Sequence, residues 1–171
     1  MDIVTALAFS IGILGGIATF LFLSPFAMGL QIWAAFVGWA SFYHCGGKAE
    51  GLQKSVIANL WGVVIGVLTL LAIARTGLAG SLGLPVWGGI CVAVGAFIHV
   101  IGAKIPALGA IPAGVYGFAA TVAMTLLSAN GLANLTAPSL ENPAVNIAIS
   151  LVIGGIFGIV SEQVAGAMAK A

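Results

Sequence analysis

Charge is almost missing from this chain. Five basic and four acidic side chains are spread through 171 residues, whereas roughly a quarter of the residues in a soluble domain are charged. So few charges cannot cover a soluble surface, and an apolar share of 61% makes a lipid bilayer the expected partner. Other absences narrow the function. There is no GxxxxGK[ST] loop for a nucleotide, no HExxH and no CxxC, and a net charge of +1 offers nothing to a nucleic acid. No acidic residue lies near the middle of an apolar run, where proton-coupled and ion-coupled carriers keep one. Cys45 and Cys91 fall at opposite ends of their expected helices, so they read as free thiols. His44 and Cys45 are adjacent, and a regular helix cannot aim both at one metal ion. These gaps argue against an enzyme and give no reason to expect a cofactor or metal.

The few charges mark boundaries. Asp2, then Lys48, Glu50 and Lys54, then Arg75, Lys104, Glu141, Glu162 and Lys170 separate six apolar runs: Ile3 to Leu23, Ala27 to Tyr43, Ser55 to Ala74, Leu84 to Ala103, Ala107 to Ser128 and Pro143 to Ser161. Most approach the ~20 residues that a helix needs to cross a bilayer. The second is shorter, and it and the fifth read as short or broken spans. None alternates with a period of two, so the expectation is an all-α integral membrane protein with six transmembrane helices in a single domain, residues 1–171. The first run lacks a basic segment before it and a small-x-small cleavage site, and reads as a retained span. With both termini inside, Lys48, Lys54, Lys104 and Lys170 fall on the cytoplasmic side and only Arg75 on the outer side, as the positive-inside rule asks.

A repeat underlies the six runs. Phe36-Val-Gly38-Trp-Ala-Ser-Phe42 and Pro112-Ala-Gly114-Val-Tyr-Gly-Phe118 match at one offset, which pairs Gly38 with Gly114 and Phe42 with Phe118. Leu14-Gly-Gly-Ile17 resembles Trp87-Gly-Gly-Ile90 upstream, and Gly62-Val-Val-Ile-Gly66 resembles Gly154-Gly-Ile-Phe-Gly158 downstream. Residues 3–75 and 84–162 are then two three-span units. An odd number of spans per unit makes them an inverted 3+3 repeat, a plan that places a solute path between the halves.

The stretch Ile32-Trp-Ala-Ala-Phe-Val-Gly-Trp-Ala-Ser-Phe-Tyr43, followed by Gly46-Gly47 and Gly51-Leu52, together with Ile111-Pro-Ala-Gly-Val-Tyr-Gly-Phe-Ala-Ala-Thr121, resembles the bacterial inner-membrane family of domain of unknown function 1097. The resemblance covers essentially the whole chain. It implies a bacterial inner-membrane location and a compact multi-span fold, and it brings no activity that could be assigned to a residue.

Three sets of residues are candidates for function. His44 ends span two and His99 lies four to five residues before the end of span four, both on the expected cytoplasmic side, where a shared polar mouth could titrate near pH 6.5; the plainer reading, that each imidazole snorkels or caps a neighbouring helix, is the favoured one. Phe36, Trp39, Phe42 and Tyr43 share one face of span two, and Tyr116 and Phe118 lie at the matching place in span five. Facing one another, they would line an apolar slot for a flat neutral solute; aromatics at helical spacing also simply fill cores. Pro106 and Pro112 favour a break beside that slot. The third set packs helices: Gly15 and Gly16, Gly38, Gly62 and Gly66, Gly114, and Gly154 and Gly158 let backbones or neighbouring subunits approach, and a homo-oligomer is expected. The functional expectation is a passive channel or facilitator for a small neutral solute such as urea, a short amide or ammonia. The rival is a non-transporting membrane scaffold or accessory subunit.

Overall fold

In the computed structural model, residues 1–170 are described, and these form an all-helical bundle. Helix α1 covers Ile3–Leu23 and is started by Asp2, whose carboxylate accepts from the Thr5 amide at 3.0 Å and from its hydroxyl at 2.6 Å. A 3-10 turn, Pro25–Ala27, and left-handed residues at Met28 and Gly29 reverse the chain into α2, Ile32–His44. Gly46 and Gly47, both at positive φ, turn it again into α3, Lys48–Arg75. A five-residue helix α4, Leu78–Leu82, precedes α5, Leu84–Ile101. Two 3-10 turns, Gly102–Lys104 and Pro106–Leu108, lead to α6, Ile111–Leu127. A short α7, Gly131–Asn134, and a loop precede α8, Pro143–Lys170.

Four helices are long and apolar enough to cross a membrane: α1, α3, α5 with the turn that continues it to Lys104, and α8. The other two runs form shorter helices. With 13 and 17 residues, α2 and α6 reach about 20 and 26 Å at 1.5 Å per residue, short of a ~30 Å hydrocarbon layer. Helix α2 starts at Ile32 and not near Ala27 because Met28 and Gly29 take left-handed conformations, which no helix continues through. Pro112 occupies the first turn of α6, where the missing amide hydrogen is harmless, so the prolines punctuate an entry and do not kink a span. Helices α3 and α8 both extend beyond the apolar runs, through Lys48, Glu50 and Lys54 and past Glu162. Charge does not stop a helix, and Glu50 and Lys54 form an i,i+4 pair at 2.7 Å.

The packing is built on two crossings. Helix α2 lies on α8, α6 lies on α3, α8 touches α3 between them, and α1 and α5 flank α8 and α3 respectively. Both crossings use glycine to bring backbones together. A methyl on Gly38 would collide with the Leu151 carbonyl and one on Gly154 with the Ala35 carbonyl; at the other crossing Gly62 meets the Gly114 carbonyl and Gly117 the Asn59 carbonyl. Where the four helices meet, Ala34, Val63, Ala120, Ile147 and Leu151 form a buried apolar cluster.

Candidate functional site

The aromatic face of α2 is bound to α8. Ser161 organises it: its hydroxyl donates to the Gly158 carbonyl at 2.7 Å, which leaves the oxygen to accept from Trp39 Nε1 at 3.0 Å and from the Tyr43 hydroxyl at 2.7 Å. The Ser161 carbonyl in turn accepts from Ser10 of α1 at 3.0 Å. Trp39 stacks between Phe36 and Phe157, with ring centroids 5.9 and 5.6 Å away. Phe42 is fully buried against Gly158, and its ring meets Tyr43 edge-on. Tyr116 is elsewhere, its hydroxyl 2.7 Å from Nδ1 of the exposed His44. Half-buried Phe118 lies on α6 where its backbone abuts Gly62 and Gly66. Of the six aromatics, Phe36 to Tyr43 thus form one group on α2 against α8, and Tyr116 and Phe118 lie apart from it on α6. The glycines divide too: a methyl on Gly15 would meet the Phe36 ring at ordinary contact distance, and Gly16 faces open space.

The two histidines have different environments. His44 is exposed and pairs with Tyr116, whereas His99 is 4% exposed and its Nε2 lies 3.2 Å from the Ile111 carbonyl at the start of α6. The His99 ring is pressed onto Gly114, and its own carbonyl accepts from Trp61 Nε1 at 3.4 Å. Gly114 and Tyr116 are two residues apart on one helix, about 200° around its axis, as are Tyr116 and Phe118, which therefore do not form a pair. The histidines therefore approach α6 from different sides.

The broken entry to α2 has a polar lining that sequence reasoning did not single out. The Gln31 amide donates to Ser150 Oγ at 3.0 Å, and Asn146 Nδ2 donates to the Gly29 and Leu140 carbonyls at 3.0 and 3.1 Å. Asn146 and Ser150, both buried, are one turn apart on α8; that spacing is visible in the sequence, but Gly29 and Gln31, which they hold, lie more than a hundred residues away. Further along α2, buried Ser41 donates to Asn59 Oδ1 at 3.3 Å. Asn146 also floors a recess of about 700 Å³ that is lined by Met28, Ser128, Ser139 and Glu141. A second cavity, about 370 Å³ between α3 and α5, is apolar and walled by Trp61, Trp87 and Cys91. At the opposite end from the recess, Glu162 Oε2 accepts from the Lys48 amide at 2.7 Å. Burial pushes the Cys45 thiol up from its ordinary pKa, with Lys54 opposing. Among the described residues no three His, Cys, Asp or Glu side chains cluster as metal ligands do.

The chain belongs to DUF1097, a family of proteins of unknown function. The match spans residues 8–166, from within α1 to within α8. No curated protein and no solved structure matches the chain. The DUF1097 assignment therefore supplies kinship, and the chemistry must come from the residues themselves.

Proposed function

We propose that this DUF1097 protein is a six-span passive channel or facilitator for a small neutral solute, of the size of urea, a short amide or ammonia, in the bacterial inner membrane. One observation carries the reading. Along α2 the bundle interior is polar at Gln31, with Ser150 and Asn146, then apolar at Ala34 in the central cluster, then polar at Ser41 with Asn59. A single apolar layer between polar shelves is a barrier that opens by wetting. The buried polar side chains of the described residues are Ser, Thr, Asn and His99, with no carboxylate or ammonium, which suits a neutral cargo.

The crossings support the inverted 3+3 plan, and Lys48, Lys54, Lys104 and Lys170 against Arg75 favour both termini cytoplasmic. One offset carries Ala35, Gly38 and Phe42 onto Gly114, Gly117 and Thr121, and another carries Asn59, Gly62 and Gly66 onto Leu151, Gly154 and Gly158. Under these offsets the contacts Gly154 with Ala35, Gly38 with Leu151 and Gly158 with Phe42 become Gly62 with Gly114, Gly117 with Asn59 and Gly66 with Thr121, all six of which occur. This register is one helical turn beyond the one that pairs Gly38 with Gly114. Gly12 and Gly16 on α1 and Gly88 and Gly89 on α5 face open space and suit contacts between copies.

Swelling of liposomes holding the purified protein, against a panel of neutral and charged solutes, tests the reading. Neutral solutes should enter faster than through protein-free liposomes while ions stay excluded; equal rates for every solute would overturn it. A specific observation favours the scaffold as a second reading: every central contact is close-packed, down to glycine against carbonyl.

A further inference from the structure

Among the described residues, His99 Nδ1 is the one enclosed side-chain polar atom without a hydrogen-bond partner. Its chemistry follows from the other ring nitrogen. The Ile111 carbonyl can only accept, so the Nε2 that contacts it at 3.2 Å carries the proton. In the neutral ring Nδ1 is then a bare lone pair. Neither the ring nor its surroundings relieve it: Gly114 lies against the ring so closely that a methyl there would overlap Cε1, and the nearby Trp61 indole donates to the backbone carbonyl of His99. His44 provides the contrast, since it is exposed and its Nδ1 has the Tyr116 hydroxyl. Interiors pair nearly all their polar groups, and a held, aimed and unpaired acceptor calls for a donor from outside the chain.

We infer that His99 Nδ1 is the acceptor of a binding site, between α5 and α6, for a small neutral molecule that presents an N–H or O–H group. A cation is disfavoured because no buried carboxylate stands by to balance it. The inference deepens the transport reading, since urea, amides and ammonia all present N–H, but the site can be tested without transport.

The probes are urea and acetamide, added at fixed pH to protein carrying 15N-labelled histidine in lipid bilayers, with the imidazole nitrogens followed by NMR. Because the chain has two histidines, either His99→Gln or His44→Gln assigns the signals, whichever folds. The Nδ1 resonance of His99 should move saturably with solute and return on tenfold dilution, and Gly114→Ala, which displaces the ring, should abolish the response. A resonance already at the donor-bound position without solute, and unmoved by it, would mean a structural water and overturn the proposal; so would a resonance unmoved from the unbonded position. Flux with no shift removes the site and leaves transport standing. A saturable shift with no flux keeps the site and removes transport.

Discussion

The α2–α8 and α3–α6 crossings share a backbone plan and differ in what surrounds it. Both bring glycine against a carbonyl at equivalent places. At α2–α8 the polar side chains are tied down: Ser161 serves Trp39 and Tyr43, Asn146 and Ser150 serve the chain before α2, and Glu162 holds the start of α3. Around α3–α6 the corresponding role falls to His99, which satisfies one carbonyl and leaves a nitrogen free. Glycine therefore fixes how close the helices come, and the side chains around it distinguish a crossing with its polar groups tied from one that keeps an unpaired nitrogen.

Substitutions at the crossings should break this comparison most severely. Gly154→Ala and Gly62→Ala each drive a methyl into a carbonyl, and overpacking of this kind costs about 1–3 kcal/mol. Unfolding in mixed micelles should show similar losses at both sites, and a loss at only one would break the equivalence. Gly166→Ala, within α8, is the control. It faces open space, so it should stabilise by about 0.5–1 kcal/mol through helix propensity alone.

Next in size is Ser161→Ala, which strands the Trp39 and Tyr43 donors. A buried donor left unpaired costs about 1–3 kcal/mol, and the Trp39 emission should change with it. Stability unchanged within error would show that the α2–α8 network is not what distinguishes this half.

How far these features could be read in the sequence follows from their range. The apolar runs of α1, α3, α5 and α8 were legible because lipid demands continuous hydrophobicity. The start of α2 was not, since Pro25 to Gln31 contains no charge and only the left-handed Met28–Gly29 turn ends the run. The identities that pair Gly38 with Gly114 suggested the proposed repeat, whereas the matching glycine contacts at the two crossings lie one turn on, because residues three or four apart occupy the same helix face. His99 stood out as a rare polar residue, whereas Ser161, Asn146 and Gly117 did not. Their importance lies in partners distant in the chain.

Smaller effects sharpen the ends of the bundle. The raised Cys45 thiol should alkylate more slowly at neutral pH than an exposed cysteine, since the thiolate is the nucleophile. Lys54→Gln should slow it further, and maleimide kinetics against pH read both; a faster reaction in Lys54→Gln would contradict the assignment of Lys54. Smallest is Asp2, whose carboxyl the Thr5 hydroxyl and amide hold below its ordinary value. A lowered carboxyl stabilises above its unfolded pKa, near 4, and loses that contribution as pH falls through its folded value. Protection of the first-turn amides of α1, taken relative to their intrinsic exchange rate at each pH, should fall on acidification through that range in the wild type and show no such step in Asp2→Asn.

The account stands on the apolar layer being the barrier to a neutral solute. Val63→Thr places a hydroxyl in that layer at nearly constant volume, and in a helix the hydroxyl can bond its own backbone. Urea flux into liposomes holding wild type and Val63→Thr, measured side by side with sodium as the excluded control, should exceed the protein-free rate in both and be faster in the variant. Rates equal to those of protein-free liposomes, or a variant that conducts no faster than wild type, would contradict it.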